Sequence, residues 1–276
     1  MCGARRSSSS ITSHTGGFPN ATGWSLRNRS PAPSKPRHLT PGISHSGGVA
    51  FRDKKMSVLD ELNWVEVKEQ YDVRMGVRAR LDRHFSATDY RNFFDLALGI
   101  SDSAGNYSAV EHNLGPQVRA ANPDSDQQVS RLAGSFRQLS SAREVPELIR
   151  NAQIRYLSIG VGSELSCLMN PTVCWVANTR TIWTDLVVKH ADDFNRANEQ
   201  LDLYRTADVD SEMDYAAWSG IHAELDVALT RISEEGSQLA RTASVKPGSI
   251  KYLWADAIAN AVYEAHSPRA RTWRSY

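Results

Sequence analysis

The sequence predicts an all-α bundle of six to eight helices behind a disordered N-terminal tail, with at most one short strand pair. Three observations carry this. Over roughly the last hundred residues, apolar side chains return at steps of three and four, the period of a helix face. Helix-start residues (Ser, Asp or Asn) stand just ahead of apolar stretches at several places. Alternation with a period of two is confined to a short run from Ile154 to Ser158, soon interrupted by Gly160 and Gly162.

Residues 1–55 read as a different substance from the rest. Ten Ser, seven Gly and five Pro fill 22 of the 55 positions, and the apolar residues among them show no period. Such a segment buries too little surface to offset its ordering entropy, so it is expected to be disordered. Its nine Lys or Arg against one acid fit an organelle transit segment or a basic arm. A third reading is a start placed too far upstream, with Met56 as the true beginning. The favoured domain division is therefore 1–55 as tail and 56–276 as a single helical domain.

The first helix is expected over about 57–84, with Ser57 as N-cap and Asp60 and Glu61 in its first turn. Ser86 is expected to cap a second helix carrying Phe93, Phe94, Leu96 and Leu98. Residues 101–122 read as turns because Asp102, Gly105, Asn106, Asn113 and Gly115-Pro116 punctuate them. Pro123 suits the first turn of the next helix, and "VPELIRNA" gives a short one after it. "IRYLSIGVGSELSCLMNP" reads as irregular. Beyond it, Ile182, Leu186, His190, Phe194, Ala197, Leu201 and Tyr204 lie on the face of one long helix capped by Asn178 or Thr179. A further helix, capped by Ser211, carries Trp218, Ile221, Leu225, Ala228, Ile232 and Leu239. The stretch "PGSIKYLWADAIANAVYEAH" is apolar nearly all round, which predicts a helix enclosed by others. The basic end "SPRARTWRSY" is expected to fray.

Charge narrows the function classes. The formal net charge of +1 averages a tail of +8 and a remainder of 23 basic and 30 acidic side chains. A mildly acidic domain does not support a nucleic-acid footprint. No apolar run reaches the ~20 residues of a membrane span. Three cysteines make no disulfide framework, and Cys167 and Cys174, with six residues between them, lack zinc-knuckle spacing. They read as buried free thiols, in a cytoplasmic protein.

Motifs of known chemistry are incomplete. Gly160-x-Gly162 lacks the third glycine of a dinucleotide fingerprint, and Ser163 is not in a Gly-x-Ser-x-Gly elbow. No Glu is followed by His three residues on, as a di-iron bundle requires. No cofactor or metal is implied. Cys174, between Val173 and Trp175, has the surroundings of an inert thiol.

Five polar residues remain as candidates. His190 sits on an apolar stripe, and His222 has Asp226 at i+4, a spacing that lets a carboxylate orient an imidazole. Asp256 lies among apolar neighbours and needs a partner, while Asn260 is one turn further on the same face. Arg180 occupies a helix first turn, where the dipole disfavours a cation, so it is expected to pair with Asp256. His190, ten positions along, is too far to join them.

Arg78 and His84, in "RARLDRH", resemble the Arg-x(4–6)-His motif of the HEPN superfamily. That resemblance implies an all-helical ribonuclease or nucleotide-binding protein. The functional expectation from the residues themselves is a helical protein acting through protein partners or self-association, with Trp175, Trp183, Trp218 and Trp254 as anchors where exposed. The alternative is a hydrolase or nuclease with its site at Arg180, His190, His222, Asp256 and Asn260.

Overall fold

A computed structural model describes residues 57–204 and 215–267. The tail, the Met56 start, the Ser211 cap and the basic end beyond Ser267 lie outside the described residues.

Ser57 is a cap, and it forms a capping box with Asp60, but the turn it opens is a short 3-10 turn, Val58–Glu61. The first α-helix, α1, is Trp64–Ser86 and is capped by Asn63. Its inward face carries Trp64, Val67, Tyr71, Arg74, Val77 and Leu81 at steps of three and four. Ser86 ends α1 rather than capping α2 (Tyr90–Ala97); Asp89 does that, accepting from the Asn92 amide at 3.3 Å. Asp89 has the carboxylate reach to close the turn, and Ser86 is still inside the preceding helix.

The turn-rich stretch contains two short helices, α3 (Tyr107–Glu111) and α4 (Leu114–Ala121). α5 is Ser125–Gln138, so Pro123 precedes it, and α6 is Val145–Ala152. No strand forms at Ile154–Ser158. Instead α7, Ile159–Met169, follows, and every one of its residues is buried. Its glycines serve close packing rather than turns. A Cβ on Gly162 would stand 2.4 Å from Ile149 Cδ1, and one on Gly160 would stand 2.9 Å from Trp218 Cζ2.

The long helix expected from Asn178 onward breaks in the middle. α8 is Thr179–Lys189, and α9 is Phe194–Leu203 with Asp193 as its cap. Ala191 and Asp192 take left-handed φ of 52° and 65° between them. α9 folds back on α8: Trp183 Nε1 donates to Asn198 Oδ1 at 2.7 Å, and the Trp183 and Phe194 rings stack. A continuous helix would hold residues 183 and 198 about 22 Å apart.

α10 is Tyr215–Thr242 and α11 is Lys251–His266. α11 is buried from Tyr252 through Asn260, packed against α1, α8 and α10 as its composition predicts. The protein is all-α, as expected. The eleven α-helices among the described residues exceed six to eight because the turn-rich stretch, the glycine-bearing run and the divided helix each add elements, and no strand is present among those residues. No helix there is long and apolar enough to cross a membrane.

Candidate functional site

A cluster of charges lies where α1, α7, α8 and α11 meet, closed on one side by α3. Arg74 of α1 is at its centre and is wholly buried. Its Nη1 donates to the carbonyls of Ala104 at 2.8 Å and Gly105 at 3.3 Å. Its Nη2 is 3.5 Å from Glu164 of α7, and its Nε is 3.4 Å from Asp256 of α11. Both acids are as deeply buried as the arginine.

The two carboxylates are treated differently. Glu164 accepts from the amides of Tyr107 (2.8 Å) and Ser108 (2.9 Å), the Ser108 hydroxyl (2.6 Å) and Asn178 Nδ2 (2.9 Å). It thus caps α3 from inside the bundle and ties it to the start of α8. Asp256 has an ion pair with Arg74 but no hydrogen bond to either oxygen among the described residues. Burial pushes its carboxyl up to about 6, with Arg74 opposing and Glu164 reinforcing the rise. Burial also works against the Arg74 cation, but Asp256 and Glu164 outweigh it and hold the group above its usual range.

Arg180 forms an outer layer. Its guanidinium lies 5.1 Å from the Tyr107 ring centre and 5.5 Å from that of Tyr263. It pairs with Glu111 at 3.6 Å and Glu264 at 3.3 Å, and it donates to Asn260 Oδ1 at 3.3 Å. The expected Arg180–Asp256 pair is therefore replaced by Arg74–Asp256. The reasoning that a cation in a helix first turn needs acids holds, but the acids are Glu111 and Glu264. Arg180 and Asn260 meet directly, and Asp256 lies one helical turn inward from Asn260.

The histidines are elsewhere. His190 is the C-cap of α8, partly exposed, and its Nε2 is 2.5 Å from Gln200 Oε1 on α9. His222 is fully buried on α10, stacked on Trp175 with ring centres 5.1 Å apart. Neither ring nitrogen has a hydrogen-bond partner among the described residues, and burial lowers its pKa to about 4. Asp226 does not orient it, since that carboxylate accepts from Tyr252 Oη at 2.5 Å and Thr230 Oγ1 at 3.2 Å. Tyr252 offers a shorter partner than an imidazole turned into the core.

Arg78 and His84 do not converge. Six residues along a helix set side chains about 120° apart. Arg78 pairs with Asp82 at 3.8 Å, and His84 Nδ1 sits 3.1 Å from Asp89.

Sequence reasoning missed Arg74 and Glu164, though a signal existed for both. Each is a lone charge at a core position of an otherwise apolar face, the feature that singled out Asp256. Cys167 and Cys174 are free and buried; burial raises both thiols, Cys174 to about 12. No group of three or more His, Cys, Asp or Glu among the described residues is arranged to hold a metal ion. Surface clefts of about 400, 350 and 170 Å³ are lined by none of Arg74, Arg180, His190, His222, Asp256 or Asn260. Trp175, Trp183, Trp218 and Trp254 are all buried, so they are core residues and not exposed anchors. Compared with models of protein families, with curated proteins and with solved structures, the chain matches none.

Proposed function

We propose that this protein works by association, with protein partners or with further copies of itself, and that the charged cluster is a joint that sets the geometry of its helices. The observation that supports this is how the cluster's valences are used. Arg74, Glu164 and Asp256 face one another with at most 1% of any of the three side chains exposed. Arg74 spends its remaining bonds on the carbonyls of Ala104 and Gly105, and Glu164 on the amides of Tyr107 and Ser108, the Ser108 hydroxyl and Asn178 Nδ2. Groups bound in this way align α1, α3, α7, α8 and α11, and they present no reactive atom to a substrate.

One observation favours a second reading. Asp256 is a carboxyl that burial raises to about 6, and its two oxygens lack hydrogen bonds among the described residues, features that a general base can have. A hydrolase or nuclease would then use Asp256, with Asn260 one turn along α11 and Arg180 bound to Asn260.

Sedimentation velocity on the full chain, with a hydrolysis screen on esters and phosphodiesters, separates the two. Association predicts a mass above that of one chain at micromolar concentration, or a stoichiometric complex with a purified partner. A monomer that hydrolyses a substrate and loses that activity in Asp256→Asn would replace it with the enzyme.

A further inference from the structure

Beyond its role as a joint, the charged cluster has a cover of unusual construction. We propose that Ile100–His112 is a strap that opens as a unit over the cluster, with Glu111–Arg180 as its latch.

The strap is bounded by two left-handed residues, Gly99 at φ 70° and Asn113 at φ 50°. Its ends lie together: a Cβ on Gly99 would be 2.4 Å from Val110 Cγ2, and one on Gly115 would be 2.7 Å from Ile100 Cγ1. The segment is thus a closed loop on a narrow base, the form of a compact Ω-loop. Its apolar anchorage is slight. Ala104 and Ala109 are its buried apolar side chains, whereas Ile100 and Val110 are 39% and 41% exposed.

Polar contacts hold it down instead. Asp102 pairs with Arg80, and Arg74 binds the carbonyls of Ala104 and Gly105. Asn106 Nδ2 donates to Val161 O at 3.0 Å, and Glu164 takes the Tyr107 and Ser108 amides. The far end is secured by Glu111 on Arg180. The Tyr107 ring, 5.0 Å from the Arg74 guanidinium and 5.1 Å from that of Arg180, is the lid over both cations. Lifting the strap uncovers Arg74, Glu164 and Arg180, the cluster groups that it touches.

Hydrogen exchange by mass spectrometry on the full chain tests this, comparing peptides from 104–112 with peptides from 253–263 of α11. The strap amides exchange at least tenfold faster than those of α11, as sub-global opening requires. Glu111→Gln speeds the strap by roughly fivefold, the factor expected for one partly exposed ion pair, and leaves α11 unchanged. Equal rates for strap and α11 in the unaltered protein would overturn the proposal, since opening would then be global unfolding. So would a Glu111→Gln chain in which the strap is unaffected, or in which both segments speed up together.

Discussion

Arg74 Nε and Asp256 Oδ2 face each other 3.4 Å apart across the contact between α1 and α11, and neither side chain is more than 1% exposed. Taking two such charges out of water costs several kcal/mol each, so the role proposed for this contact is alignment more than stability. Glu164 makes the arrangement a triad, and removing the single cation leaves two acids without it.

Arg74→Met is therefore expected to destabilise the domain by about 3–5 kcal/mol, read as a lower urea midpoint with little change in slope. Adding Asp256→Asn and Glu164→Gln to it should restore part of the loss, because no buried charge is then left behind. A midpoint for Arg74→Met within error of the original would mean that the cation is dispensable.

Asp256→Asn should act through pH. The folded carboxyl titrates near 6 against an ordinary value of 3.8. A raised folded pKa gives stability that is present below the unfolded value and lost as pH rises through the folded one. The original protein thus carries a cost at neutral pH, on the order of 2–3 kcal/mol, that the amide avoids. Thermal midpoints should show Asp256→Asn gaining at pH 7.5 relative to the original and losing most of that advantage by pH 4.5. A deficit that is the same at both pH values would contradict this.

His222 has the opposite sign. Its folded pKa, near 4, lies below the ordinary 6.5, so its contribution is whole above 6.5 and is lost as pH falls toward 4. His222→Phe keeps a ring against Trp175 and removes the ionisable group. The variant should lose less stability than the original between pH 6.5 and 4, by up to about 3 kcal/mol. Identical acid curves would show that the imidazole is not held neutral by burial.

Leu225→Asp places a charge on the buried face of α10, where Leu225 is 2% exposed. Unfolding or aggregation is expected, at a cost of about 4 kcal/mol or more. A soluble variant with native helicity by circular dichroism would mean that this face is not the core.

The buried face of α10 was legible in Trp218, Leu225 and Ile232, which keep the helical period, and α11 was legible as enclosed because it is apolar nearly all round; of Asn178 and Thr179, both able to cap α8, Asn178 is the cap. α7 was not. Gly160 and Gly162 read as breakers until the packing of Ile149 and Trp218 shows why no Cβ fits there. The break after His190 was hidden because Phe194 and Ala197 continue the apolar spacing; the cue was Asp193, a cap residue inside an apparent helix. Of the cluster, Asp256 was read as needing a partner, while Arg180 was assigned to the wrong acid. Pairing depends on which helices meet, and no local pattern encodes that Arg74 arrives from some 180 residues away.

The joint is tested most directly by a double-mutant cycle on Arg74→Met and Asp256→Asn at pH 7.5, with free energies from urea unfolding. A coupling of about 1.5 kcal/mol or more is predicted, and a smaller one for Arg180→Met with Asp256→Asn. Coupling below about 0.5 kcal/mol between Arg74 and Asp256 would contradict the account, since the two would then be neighbours and not partners.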